Sequence, residues 1–444
     1  MGSPSLVWLR DDLRLADNPA LTAAAERGEP VVLVYVLDES SAGIRPLGAA
    51  SRWWLHQSLS ALDAPLVLRR GAAEDVIPEL VAETGAGAVF WNRRYGAARE
   101  IDARLKARLR DDGLDVRSFQ ANLLVEPWAL TTGSGGPYRV FTPFWKAARE
   151  LRFRDPLPVP VVAWGSAGGD ALESWGLLPA RPDWAGGLRE AWHPGEEGAH
   201  AQLESFVEER LEDYHRRDEP AVDATSRLSA HLRFGEVSPF QVWERLHGVM
   251  SPAARKNVPK FLSEVGWREF NWSILFHSPD LAERNYRPAF DAFPWSEPDP
   301  EVLAAWREGR TGIPLVDAGM RELWQTGVMH NRIRMVVASF LWKNLLIDLR
   351  SGEQWFWDTL VDADEASNPG NWQWVAGSGA DAAPYFRVFN PELQRQKFDP
   401  AERYVRRWVP EYGTPAYPAP IVDLAATRKE ALAAYEHVRA VERS

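Results

Sequence analysis

The sequence predicts an α/β domain built on a five-stranded, parallel, doubly wound sheet, followed by an all-α domain. Short β-branched apolar runs alternate with amphipathic stretches over the first 120 residues, and strand signals cease after about residue 198. Between them both patterns dissolve into TTGSGGP, RDPLPVPVV and GSAGGD, which are turn and linker compositions. The expected divisions are 1–126 for the α/β domain, 127–197 for a linker and 198–444 for the helical domain.

In order, residues 5–9, 31–36, 65–68, 88–91 and 116–119 read as buried strands. Residues 18–27, 49–62, 74–84 and 97–111 read as the helices between them. Parallel neighbours need long crossovers, so this alternation implies helices on both faces of the sheet. The first βα turn reads LRDDLRLADN, without GxGxxG, and no GxxxxGKS occurs, which argues against a nicotinamide-type site on the sheet. Within the linker, YRVFTPFWKAARE contains a short helix. In the last division the clearest helix is 331–346, where Ile333, Val336, Val337, Phe340, Leu341 and Asn344 recur at helical spacing. No internal repeat is visible.

Composition narrows the function classes. With 444 residues and 45% hydrophobic content the chain can bury large cores. It has no apolar run of about 18 residues, and the charges within residues 10–14 break any signal-peptide pattern, so a soluble, cytoplasmic, monomeric protein without membrane contact is expected. The absence of cysteine excludes disulfides, thiolate nucleophiles and Cys-based metal sites. No two of the nine histidines have HxxxH spacing, and no metal is expected. A net charge of −11 speaks against nucleic acid on average, yet residues 385–408 hold six basic side chains against three acidic. Twenty-two tryptophans exceed what packing needs and suggest flat-ligand binding or aromatic redox work.

Four segments carry candidate chemistry. In TSRLSAHLRFGEVSP, Thr225 and Ser226 can cap a helix or, with Arg227, meet a phosphate. In FLSEVGWREF, Glu264 and Trp267 share a helical face, while Glu264 with Arg268 also reads as a surface ion pair. MHNRIRM opens the apolar helix with His330, Asn331, Arg332 and Arg334, either a solvated start or a phosphate contact plus a buried ion pair. VDADEASNPGNWQW supplies Asp362 and Asp364, partners for that pair or simple caps, ahead of Asn368, Trp372 and Trp374.

The order TSRLS, WREF, EGRTGIPLVDAGMRELWQTGVMHNRIRM and LVDADEASNPGNWQWVAGSGADAAPYFRVFNP resembles the photolyase/cryptochrome family, specifically its class I cyclobutane pyrimidine dimer (CPD) photolyases. The resemblance covers essentially the whole chain, from LVWLRDDLRLADNPAL onward. It implies a C-terminal FAD-binding domain and a light-driven carbon–carbon lyase. Reduced flavin, excited by blue light, would donate an electron to a dimer flipped out of UV-damaged DNA, split it and recover the electron.

By motif, the resemblance assigns Tyr214, Thr225, Ser226, Arg227, Leu228 and Ser229 to the flavin's phosphates and ribityl region, and Asp362, Ala363 and Asp364 to flavin and ribose, with Arg334 paired to Asp362. Asn368 matches the asparagine facing flavin N5; an amide cannot donate a proton as a carboxylic acid does, so the flavin is expected to stay anionic or to live long as a neutral radical. Glu264 would hydrogen-bond the dimer, and Trp267 and Trp374 would wall it in. Arg217, Asn331, Arg332, Met335 and Gln394 match lesion-pocket or DNA-backbone positions. Asn331 and Met335 stand where (6-4) photolyases carry histidines, which points to CPD lesions.

Two departures stand out. Trp372 and Trp295 match the inner and outer members of the family's three-tryptophan electron route, but the middle position is Leu349, so slow photoreduction or a bypass through Trp355, Trp357 or Trp342 is expected. Where members that bind methenyltetrahydrofolate carry Asn-Glu, this chain has Ala97 and Ala98, whereas Asp102 and Arg233 resemble contacts to 8-hydroxy-deazaflavin. A deazaflavin antenna is expected, with the folate, another flavin or none as alternatives. The competing function is a cryptochrome-type photoreceptor without repair; Asn368, Glu264, Trp267, Trp374 and the short stretch after helix 427–441 favour repair.

Overall fold

A computed structural model describes residues 2–383 and 386–443. Its N-terminal part is a five-stranded sheet of β1 (Ser5–Leu9), β2 (Val31–Leu37), β3 (Leu66–Arg70), β4 (Ala88–Asn92) and β5 (Asp115–Phe119). The strand order is β3-β2-β1-β4-β5, all parallel, so β1 and β4 flank the point where the winding reverses. β1, β2 and β4 are buried along their whole length, which is why they read as unbroken apolar runs. Helices α1 (Pro19–Ala25), α2 (Ala49–Ala61), α3 (Ala73–Thr84) and α4 (Ala98–Asp111) cover the two faces.

The 127–197 stretch is packed against both domains. It holds α5 (Phe141–Ala148) and α6 (Gly186–Ala191). Phe141, Phe144 and Trp145 of α5 enter the helical core, while Trp164 bridges to Val31 and Trp175 and Leu177 cover the sheet. Its Pro and Gly content reflects irregular backbone, and its aromatics supply the adhesion.

The helical domain comprises α7 (Glu196–Ser205), α8 (Ser229–Phe234), α9 (Pro239–His247), α10 (Pro252–Arg255), α11 (Val258–His277), α12 (Pro300–Arg307), α13 (Pro314–Thr326), α14 (Asn331–Ser339), α15 (Leu349–Thr359), α16 (Ser367–Ala376), α17 (Pro391–Phe398), α18 (Arg403–Trp408) and α19 (Leu424–Arg443). None of the described helices is long and apolar enough to cross a membrane.

Two helix expectations are corrected. The predicted helix 331–346 is α-helical only to Ser339 and continues as a π turn, Phe340–Asn344, a local widening often found beside functional sites. The helix expected to open at Thr225 begins at Ser229, because Arg227 has φ of 55°, a left-handed conformation that interrupts an α-helix. The N-cap in this region is Ser238, which forms a capping box with Gln241 at the start of α9.

The domains are locked through buried polar groups. Arg14 donates to the carbonyls of Asp17, Ala121 and Gly235, and Glu236 accepts from Trp54 Nε1 (2.9 Å) and the Gly195 amide (2.8 Å). Gly235, at φ 65°, closes α8 directly against the loop after β1. A Cβ there would lie 2.0 Å from the Asp11 carbonyl oxygen, so the contact requires glycine.

Candidate active site

A cavity of about 940 Å³ lies among α8, α11, α13, α14, α15 and α16. It is lined by the whole 225–229 run, by Tyr214 and Arg217, by Glu264 and Trp267, by Asn331, Arg332, Arg334 and Met335, by 362–364, and by Asn368, Trp372 and Trp374. Long separations in sequence thus converge because α11, α14 and α16 present one face each to the same space.

Several alternatives are decided by the geometry. Arg334 donates to both oxygens of Asp362 (3.1 and 2.8 Å) and to the Met329 carbonyl (2.7 Å), so this aspartate is an ion-pair partner. Asp364 is a cap, accepting from the Ala366 amide (2.8 Å) and the Ser367 amide at the start of α16. Glu264 pairs with Arg217 (3.1 Å) and Lys260 (3.4 Å) rather than with Arg268, which turns instead to the carbonyls of Asn122 and Leu232. Arg332 meets Asp218 (3.0 Å), a partner the sequence did not suggest. His330 caps α14 through Nδ1, and burial pushes its pKa down to about 4, so it is neutral at pH 7.

Trp267 and Trp374 are half-buried on opposite elements of the cavity wall. Trp267 is backed by Phe141 of α5, stacked at 4.0 Å and 10°. Trp374 is held by its indole N–H, which donates to the Asp381 carbonyl (3.1 Å). Gln394 lies outside this lining, half-buried on α17, its Oε1 unpartnered among the described residues.

The electron-route candidates separate. Trp372 is buried, and its ring neighbours are Phe356 (5.0 Å) and Trp306 (6.5 Å), a tryptophan not singled out from sequence because it resembles any apolar position of α12. Leu349 is buried and offers no ring. Trp295 touches Trp342 (5.4 Å), but neither has a ring contact with Trp372 among the described residues. Trp355 stacks on the exposed Trp324 (6.2 Å, 6°) beneath Arg307. Trp357 donates to the Pro46 carbonyl (2.9 Å) and lies under Arg45.

A second, smaller cavity of about 110 Å³ lies beyond the carboxyl ends of β1, β2 and β4, at the reversal of strand order where open α/β sheets usually take ligands. Arg233 lines it, donating to Asp11 (2.6 Å) and to the Ala363 carbonyl (2.9 Å), and Ala98 also borders it. Asp102 does not border it. That carboxylate is buried between Arg94 (2.7 Å) and Arg10 (3.2 Å), so the expected antenna contact is replaced by an ion pair supporting those two cavity-lining arginines. Ala97 is likewise outside.

The main cavity's chemistry fits a bulky dinucleotide. Its volume sits at the upper end of the roughly 300–1,000 Å³ of ligand sites. Thr225, Ser226, Arg227 and Ser229 offer hydroxyls and charge for phosphates, whereas Met335, Ala338, Phe356 and Val375 offer an apolar wall for a flat ring. The buried Trp372 indole nitrogen has no protein partner among the described residues. The fold and cavity together define a two-domain flavoprotein.

The chain belongs to the DNA photolyase family. Residues 5–161 match the model for DNA photolyase, and residues 261–437 match the FAD binding domain of DNA photolyase. It is 50% identical to a deoxyribodipyrimidine photo-lyase of Agrobacterium fabrum, over 98% of both chains. It is 39% identical to Cryptochrome-1 of Arabidopsis thaliana, over 92% of this chain and 63% of that one. A solved bacterial class III photolyase from Agrobacterium tumefaciens has 49% identity and a TM-score of 0.95, covering 99% of this chain and 98% of its own. That relative belongs to class III, which corrects the class I expectation drawn from the motifs.

Proposed function

We propose that this protein is a class III photolyase that repairs cyclobutane pyrimidine dimers in UV-damaged DNA in a light-dependent reaction. The observation that carries the reading is one cavity in which the Glu264 carboxylate and the Trp267 and Trp374 rings lie beside Asn368. The kinship with photo-lyases supports it.

FAD, when bound, supplies the absorption of visible light and the reducing electron that no side chain can provide. The protein's residues do the rest. The 225–229 run and the Arg334–Asp362 pair hold the cofactor. Trp267 and Trp374 sandwich the extruded bases, each stack contributing on the order of 1–3 kcal/mol. Glu264, oriented by Arg217 and Lys260, meets the dimer's polar edge, and Arg332 with Asp218 borders the same opening. Oxidising equivalents leave through Trp372 to its ring neighbour Trp306.

The interdomain cavity is the proposed antenna site, with Arg233, Arg94 and Arg45 among its cations. Its present volume, about 110 Å³, is below the roughly 300 Å³ of small ligand pockets, so a deazaflavin or folate ring must displace side chains. The absorption spectrum of chromophore extracted from purified protein distinguishes the two.

The decisive test is illumination of the reduced holoprotein with dimer-containing oligothymidine. Recovery of absorbance at the thymine band is expected. No recovery with FAD fully loaded overturns the repair reading in favour of a photoreceptor.

A further inference from the structure

Asn368 borders the flavin cavity, yet the position of its amide is set from outside it. Its Nδ2 donates to Glu353 Oε1 (2.7 Å) and to the Glu353 carbonyl (3.1 Å). Both neighbours are acceptors, so only the NH2 end of the amide can sit there, and Oδ1 is left for the cavity. No protein hydrogen bond reaches Oδ1 among the described residues.

Glu353 is itself buried, its side chain 3% exposed, and a buried carboxylate needs a partner to remain ionised. That partner comes from the other domain. Arg45, in the loop between β2 and α2, gives a two-pronged ion pair, Nη1 to Oε1 (2.7 Å) and Nη2 to Oε2 (2.9 Å). Its guanidinium stacks 4.1 Å from the centroid of Trp357, whose indole N–H holds the Pro46 carbonyl of the same loop. On α16 the group facing Glu353 is the neutral Asn368, and on its own helix Asp358 turns away to the Ala49 amide (2.9 Å). Arg45 is thus the charged group that bonds this carboxylate among the described residues.

We propose that Arg45 is a positioning residue for the flavin site: by keeping Glu353 a pure acceptor it holds Asn368 with its carbonyl oxygen toward the cofactor. The inference rests on the reading that the main cavity holds FAD. An acceptor at that point favours a flavin bearing hydrogen on the facing ring nitrogen, which is the reduced form. A protonated Glu353 could donate to Oδ1 instead, the amide would turn over, and a donor would face the cofactor. Arg45 also lines the interdomain cavity, so an anion seated there competes for the same guanidinium.

The test compares wild type, Arg45→Met, Arg45→Lys, Glu353→Gln and the double variant, all as FAD holoprotein, by spectroelectrochemical titration from pH 5.5 to 9. In Arg45→Met the reduction equilibrium should shift toward oxidised flavin on the order of tenfold, the worth of one hydrogen bond, or about 30 mV for a two-electron couple. The shift should follow the loss of the two-pronged ion pair that fixes Glu353 as an acceptor. Arg45→Lys should restore most of it. Glu353→Gln should shift the flavin at every pH, and adding Arg45→Met to it should change nothing further. A potential and pH profile unchanged in Arg45→Met, or an Arg45→Met effect that persists undiminished in the Glu353→Gln background, overturns the proposal. If Arg45→Met does not retain FAD, Arg45→Lys and Glu353→Gln carry the comparison, and two wild-type profiles overturn it equally. Dimer splitting in the same preparations reports on the repair reading separately.

Discussion

Trp372 and Trp374 are two residues apart on α16, about 200° around the helix, and their environments differ accordingly. Trp372 is sealed against Phe356 and Trp306, whereas Trp374 stays partly exposed and anchors its N–H on the Asp381 carbonyl. The sequence placed one toward an electron route and one toward the lesion, but sent the route on through Trp355, Trp357 or Trp342. At the residue scale the neighbour is Trp306. Trp306→Phe keeps the ring packing and removes the oxidisable indole, so flavin photoreduction should slow by roughly tenfold or more at unchanged FAD content, since 1.4 kcal/mol in a barrier is already tenfold. Trp295→Phe should leave the rate unchanged, because that ring contacts Phe293 and Trp342 and, among the described residues, neither Trp372 nor Trp306. Stopped-flow absorbance under continuous blue light measures both, and a wild-type rate in Trp306→Phe removes it from the route.

Among elements, the tightest joint is that of α15 and α16. A Cβ on Gly352 of α15 would lie 2.1 Å from Trp372 Cη2 and 2.6 Å from Leu341 Cδ2. Gly352→Ala gains about 1 kcal/mol of helix propensity but meets an overpacking cost of about 1–3 kcal/mol, and here both obstructions are buried. The steric term should win. Tm is expected to fall by a few degrees, with altered Trp372 fluorescence; a raised Tm would show that the interface yields without strain. The π turns belong to the same scale: the one after α14 ends a helix whose polar residues line the cavity, and the one at Phe206–Arg210 after α7 leads into the segment that carries the lining residues Tyr214 and Arg217. Periodicity does not reveal them, because a single widened turn leaves the apolar spacing nearly intact.

At the scale of the molecule, the domain interface carries a titratable group. Glu269 of α11 is buried against the end of the α/β domain, where it accepts from the Val125 amide (3.0 Å), and burial pushes its pKa up to about 7. A carboxyl whose folded pKa exceeds its unfolded value contributes stability that is complete below about pH 4.5 and lost as pH rises through about 7. Glu269→Gln keeps an acceptor for Val125 and cannot ionise. It should therefore be more stable than wild type at pH 8, by on the order of 1–3 kcal/mol, and should differ little at pH 5. Urea unfolding at the two pH values checks this, and an equal effect at both would contradict the linkage.

Local pattern determined much of this protein. The five strands, the parallel winding and the helical second half follow from apolar periodicity and from turns, and the residues proposed for flavin and lesion sit in contiguous motifs because α11, α14 and α16 each bring a short face to the cavity. The linker's packing, the turn from Asp102 to an ion pair, the choice of Trp306 and the Arg45–Glu353–Asn368 chain were decided by tertiary structure alone. Each depends on side chains tens to hundreds of residues apart that meet across elements. Spacing along a chain encodes which face a residue shares, but not what the opposite element will place against it.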